Sequence, residues 1–250
     1  MTDKSSDKSN ISDNSDNMKL RCLTVAENWR LLQEKINEIK RVNDIPYDIT
    51  ICAATKNVPV EIINFAASLG LHRIGENRVN ELLEKYDELD SEHLETDYIG
   101  VLQTNKIGKL IGRVSMIQSL DSVRAAKEID RISKTRNCIT DALVEINSGR
   151  EPNKGGIMPE TFDEFMDSVL PFDNINIRGI MTVGPFCVNR EDIRIYFKET
   201  YRIFIDFYQK KIHNIDNPVL SMGMSSNYDI AIECGANMIR PGTALFGERI

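Results

Sequence analysis

Hydrophobic and polar positions divide this chain into a polar head and a long alternating body. Residues 1–17 (MTDKSSDKSNISDNSDN) hold one isoleucine among Ser, Asp, Asn and Lys. That is too little apolar surface to offset the entropy of ordering, so a disordered tail is expected there. Apolar positions then recur at Leu23, Val25, Trp29, Leu32, Ile36 and Ile39, close to helical spacing, which predicts a helix ending before Pro46. Trp29 lies on that apolar stripe and reads as packing. From there short β-rich runs alternate with helical patterns. The runs are Ile49–Ala54, His72–Ile74, Tyr98–Ile99, Ser115–Gln118, Ala142–Ile146, Ile177–Thr182, Val219–Leu220 and Asn237–Ile239. Amphipathic segments follow most of them: Val60–Leu69, Val79–Leu89, Ser122–Ser133, Pro159–Leu170, Asp192–Lys211 and Tyr228–Cys234.

Strand–helix alternation with right-handed crossovers builds either an open doubly wound sheet or a closed (β/α)8 barrel of the TIM type, and eight units in roughly 200 residues favour the barrel. Runs such as ITICAA (49–54) and ALVEI (142–146) are apolar on both faces, as strands covered on both sides require. No linker after Pro46 marks off a second domain, so residues 18–250 are expected to form one α/β domain led by the N-terminal helix.

Composition narrows the function without naming it. Lys and Arg total 31 against 38 Asp and Glu, a net charge of −7, so the chain lacks the overall positive field that non-specific nucleic-acid binding needs. The five cysteines are scattered, without CxxC spacing, and read as reduced thiols of a cytoplasmic protein rather than as a metal or disulfide framework. No apolar run is long enough to cross a membrane, and the N-terminus has no secretory pattern.

A (β/α)8 barrel carries its site at the C-terminal ends of its strands, with phosphate held after the seventh and eighth. Lys56 stands two residues beyond ITICAA, where its amine can point into the barrel mouth. Ser221-Met222-Gly223-Met224-Ser225-Ser226 follows the seventh run, and Arg240-Pro241-Gly242-Thr243 follows the eighth; each opens a helix. Small residues at helix N-termini present unpaired N–H groups to a phosphate dianion. A serine there is also a commonplace cap and most lysines are solvated, so neither feature decides alone. Lysine, phosphate clamp and arginine on one barrel face together form a pyridoxal phosphate constellation. A sugar-phosphate enzyme with Lys56 as imine former remains open, with Glu76 and Glu145 at strand ends as acid–base groups or, more simply, ion-pair partners.

The segments AATKNVP (53–59), IGENRVNE (74–81), YIGVLQTNK (98–106), INSGREPNKGG (146–156), RGIMTVGPF (178–186), SMGMSSNYDIAI (221–232) and IRPGTALFG (239–247) resemble, in this order, the pyridoxal phosphate homeostasis proteins, the YggS or PROSC family. The resemblance implies an alanine-racemase-like barrel holding pyridoxal 5′-phosphate as a Schiff base on Lys56. It places Asn77 near the cofactor ring, Arg240 opposite the pyridine nitrogen, and Ser221, Ser225, Gly242 and Thr243 around the phosphate, with Met224 contributing through its backbone. The chain departs from many relatives at Thr96, Asp97 and Val101, where an aromatic residue and histidines are common, and at Pro241. Asn147 and Lys154 match family positions, where a loop salt bridge is expected.

A cationic arginine at the ring nitrogen opposes the electron-sink behaviour that carbanion chemistry needs. The expected function is therefore non-catalytic: a carrier that holds pyridoxal phosphate reversibly and controls its free level or its delivery to apo-enzymes; the resemblance implies a monomer. The alternative is a pyridoxal-phosphate-dependent amino-acid racemase or lyase.

Overall fold

A computed structural model describes residues 6–187, 189–209 and 217–248, with side chains from residue 16 onward. The first five residues of the expected tail and the end of the Asp192–Lys211 segment lie outside the described residues. Eight parallel strands close into a barrel in sequence order. They are β1 (Thr50–Ala54), β2 (Arg73–Glu76), β3 (Glu95–Tyr98), β4 (Met116–Leu120), β5 (Thr140–Ile146), β6 (Ile175–Thr182), β7 (Val219–Met224) and β8 (Met238–Arg240). β1 pairs with β8, Ile51 opposite Ile239, so no strand edge is left open.

Nine α-helices occur among the described residues: α1 (Ser6–Val42), α2 (Val60–Ser68), α3 (Val79–Lys85), α4 (Ile107–Leu110), α5 (Val123–Thr135), α6 (Phe162–Val169), α7 (Ile193–Gln209), α8 (Tyr228–Glu233) and α9 (Thr243–Phe246). Helix α1 starts at Ser6, so it runs through most of the segment whose polarity suggests a disordered tail. Its packing on the barrel includes the partly buried Met18 and Cys22. Farther along, Trp29 is buried and donates its indole N–H to Leu69 O at 2.9 Å, while Asn28 donates to Leu245 O at 3.0 Å. Those bonds tie α1 across the seam where the barrel closes.

Three strands differ instructively from their expected extents. β3 is Glu95–Tyr98 rather than Tyr98–Ile99, because Asp97 lies inside the barrel and inverts the usual apolar signal. β4 begins one residue later and runs to Leu120; β7 continues through SMGM, whose small residues hid its length. Inside the barrel Cys52, Met116, Leu143, Met181 and Met238 form an apolar layer. Outside it the helices bury a larger apolar shell that includes Ile107, Leu110, Ile129 and Phe197.

At the N-terminal ends of the strands, the floor, a cavity of about 860 Å³ is lined in part by Arg73, Glu95, Asp141, Arg178 and Asn237. At the opposite mouth the strands deliver the residues singled out above.

Candidate functional site

Lys56 is held by a turn whose flanks are clamped. Buried Thr55 donates its hydroxyl to Glu76 Oε1 at 2.6 Å and its carbonyl accepts Lys85 Nζ at 2.8 Å. The next backbone N–H, that of Asn57, donates to Glu81, and Asn57 adopts a left-handed φ of +60°. Lys85 Nζ lies 2.8 Å from both Glu76 and Glu81, so one cation bridges the two carboxylates that brace the turn. Burial raises the Glu76 carboxyl, with the Lys85 and Thr55 bonds opposing it. Glu76 is thus an ion-pair partner beneath the turn and not an acid or base at the mouth.

Alternation along β1 that turns Cys52 into the interior carries on toward Lys56. Lys56 is half-buried rather than enclosed, and no hydrogen bond or ion pair engages its amine among the described residues. Ala54 N–H donates to Pro241 O at 2.8 Å, which sets the Lys56 turn directly beside Gly242 and Thr243.

The loops after β7 and β8 meet at Ser225, whose Oγ accepts from the N–H groups of Gly242 (2.9 Å) and Ala244 (3.1 Å). Gly223 makes the turn possible: its φ is +95°, and a Cβ there would lie 2.6 Å from that of Ala231. Backbone N–H groups of Ser226 and Thr243 are left without hydrogen bonds among the described residues. Met224 is exposed, but its backbone N–H already donates to Asn227 Oδ1 at 2.8 Å. Asn77 is half-buried across the mouth, where Gly100 packs so closely that a Cβ would lie 1.9 Å from Asn77 O.

Arg240 is 3% exposed, yet among the described residues no carboxylate pairs with it. Its guanidinium donates to Ser221 Oγ at 2.5 Å and to Thr182 O at 2.8 Å. Burial pulls its pKa down, and Cys52 and Glu145 pull the other way. Glu145, read from the sequence as an ion-pair partner, has none among the described residues: burial first and the nearby Asp121 second push its carboxyl up to about 7, against the pull of Arg240. Lys154, by contrast, forms the expected loop salt bridge with Glu151 at 2.5 Å, and Asn147 pins the same loop through the Glu151 backbone.

The structure brings Lys56, Ser225, Arg240, Gly242 and Thr243 to one mouth on adjoining strands. Ser221 departs from its expected place at the phosphate. It is wholly buried, donates to Gln118 Oε1 at 2.7 Å and accepts from Arg240, so it braces the arginine from below. Sequence reasoning passed over Gln118, a lone amide in an apolar strand; its isolation at an inward position was the available signal.

These residues fit pyridoxal phosphate on their own chemistry: among the described residues, an unengaged amine, free N–H donors on adjoining loops for a dianion, and a buried guanidinium with no anionic partner. The model of the alanine racemase N-terminal domain matches residues 24–250, which defines the class of barrel. Within that class the chain belongs to the pyridoxal phosphate homeostasis proteins. The relative from Aquifex aeolicus is 43% identical over 80% of this chain and 86% of its own length, and one from Helicobacter pylori is 32% identical over 86% and 94%. PipY of Synechococcus elongatus, solved with pyridoxal phosphate bound, superposes with a TM-score of 0.76 at 28% identity, covering 89% of this chain and all of PipY. Alanine racemase from Clostridium difficile shares the fold at a TM-score of 0.68 and 18% identity, over 87% of this chain and 59% of its own.

Proposed function

We propose that this protein holds pyridoxal 5′-phosphate reversibly at the barrel mouth and serves to buffer or carry it, with Lys56 as the covalent anchor. The observation that carries the reading is the unengaged Lys56 amine on a braced turn, two residues beyond the Ala54 N–H that bonds Pro241 O in the loop after β8. Lys56 would hold the cofactor reversibly through its aldehyde, and bound pyridoxal phosphate would supply the electrophilic carbon that a free amine can engage with loss of water. N–H groups of Ser226 and Thr243, with Ser225 between the loops, would hold the phosphate, and Asn77 would flank the ring.

Bound pyridoxal phosphate supplies an electron-withdrawing ring, which is strongest when the ring nitrogen is protonated. Arg240 at that nitrogen would hold a cation where protonation would otherwise occur, so the site favours storage over carbanion chemistry. Purified protein should absorb at the imine band, and borohydride should fix a pyridoxyl group on Lys56. An adduct that survives Lys56→Ala would sink the assignment. We further propose that the protein acts as a monomer in the cytoplasm and hands the cofactor to apo-enzymes; light scattering tests the first point and transfer to a purified apo-enzyme the last.

Glu145 favours one second reading. A carboxyl near 7 beside the mouth could exchange a proton with a bound amino acid, as a racemase or lyase requires. Deuterium exchange at the α-carbon, lost in both Lys56→Ala and Glu145→Gln, would establish it.

A further inference from the structure

The barrel interior below the mouth is crossed by a file of polar side chains. Asp97, fully buried on β3, accepts from Arg73 Nη1 at 2.6 Å through Oδ1 and from Gln118 Nε2 at 2.7 Å through Oδ2. Gln118 Oε1 accepts from Ser221 Oγ at 2.7 Å, and Ser221 Oγ accepts from Arg240 at 2.5 Å. The file therefore runs from Arg73 at the floor cavity to Arg240 at the mouth.

Its polarity has one source. An ionised carboxylate only accepts, so Gln118 must present its amino group to Asp97 and its carbonyl to Ser221. Ser221 must then aim its proton at Gln118, leaving its lone pairs for Arg240. With Thr182 O as a second anchor, the guanidinium plane of Arg240 is fixed. Neighbouring interior positions are Cys52, Leu143, Met116 and Met238, and an apolar residue in place of Asp97 would avoid the desolvation of a buried charge. That the carboxylate is kept in this layer is what calls for a role.

We infer that Asp97 is a positioning residue for the cofactor: acting through Gln118 and Ser221, it sets the rotation of Arg240 so that the remaining N–H groups of the guanidinium face the ring nitrogen. This rests on the reading of the mouth as the pyridoxal phosphate site. Burial pushes the Asp97 carboxyl up to about 6, with Arg73 opposing, so the file loses its direction as pH falls through that value. The other ionisable groups at this level are Cys52 from β1, Arg73 from β2, Glu95 from β3 and Arg240 from β8. The Cys52 thiol is held protonated by burial.

The test compares wild type, Asp97→Asn, Ser221→Ala and their double variant by titrating each full-length protein with pyridoxal phosphate and reading the absorbance. Each single change should weaken binding roughly tenfold at about pH 7.5, since one charge-assisted hydrogen bond is lost or redirected. The double variant should bind no more weakly than the weaker single, because both changes cut one file. The gap between wild type and Asp97→Asn should close toward about pH 5, where the native carboxyl is neutral. Leu143→Ala, in the same interior layer, should lower Tm and leave affinity unchanged. Additive losses, or an Asp97→Asn protein with wild-type affinity and pH profile, overturn the inference while leaving the Lys56 result standing. Should Asp97→Asn not fold, the same cycle run with Gln118→Leu and Ser221→Ala decides it by additivity. A cofactor adduct retained in Lys56→Ala overturns the underlying reading and this inference with it.

Discussion

Both ends of the barrel carry charge, and the two differ in what the charges face. At the floor Arg73 pairs with Glu95 and Asp97, and Arg178 pairs with Asp141 at 2.8 Å. At the mouth Lys56 and Arg240 find no anion and Glu145 finds no cation within ion-pair distance among the described residues. Paired charges hold strands in register; the unpaired ones have no such structural task among the described residues. The residue types are nearly the same at the two ends, so function is read from the partners and not from composition.

The largest expected effect breaks the floor. Arg73→Met leaves Asp97 buried without its cation and should cost about 3–5 kcal/mol, a fall of roughly ten degrees in Tm by calorimetry. Next comes Gly100→Ala at the mouth, where the added methyl meets Asn77 O; a loss of about 1–3 kcal/mol together with weaker cofactor binding is expected in a thermal-shift and titration series.

Glu145→Gln sharpens the contrast through pH. The folded-state carboxyl lies at about 7 against an ordinary 4.5, so its contribution to stability is present below that ordinary value and is lost as pH rises through about 7. The variant should therefore match wild type near pH 4.5 and exceed it by roughly 2–4 °C in Tm near pH 8. Equal melting curves at both pH values would show that this carboxyl is solvated. The smallest stability effect belongs to Lys56→Ala, which removes no partner: apo-protein Tm should move by less than about 2 °C while covalent cofactor attachment disappears. A large fall in that Tm would erase the distinction between the two ends.

Much of the fold was legible because most strands of a doubly covered sheet are apolar throughout: β1, β5 and β6 lie where TICAA, ALVEI and IRGIMT indicate. The interior was harder to read. Asp97 lies inside the barrel where an apolar residue is the default, so the third strand was read only at Tyr98–Ile99, and Ser221 looked like loop chemistry when it belongs to the packed interior. The same blind spot hid Gln118. That Lys56, Ser225, Arg240, Gly242 and Thr243 lie at one end of the barrel was legible because each stands at or just beyond a strand end, where local sequence marks the boundary. Pairing between strands distant in the chain leaves no such mark, so Glu145 could be placed at a strand end but not assigned a neighbour.

Closure of β1 against β8 joins the opening and final stretches of the barrel, and the Ala54–Pro241 contact couples the Lys56 turn to Gly242 and Thr243 across almost the whole polypeptide. If Lys56 is the anchor proposed above, a nascent chain would carry its amine long before the loops after β7 and β8 exist, and capture of the cofactor would wait for the last strand.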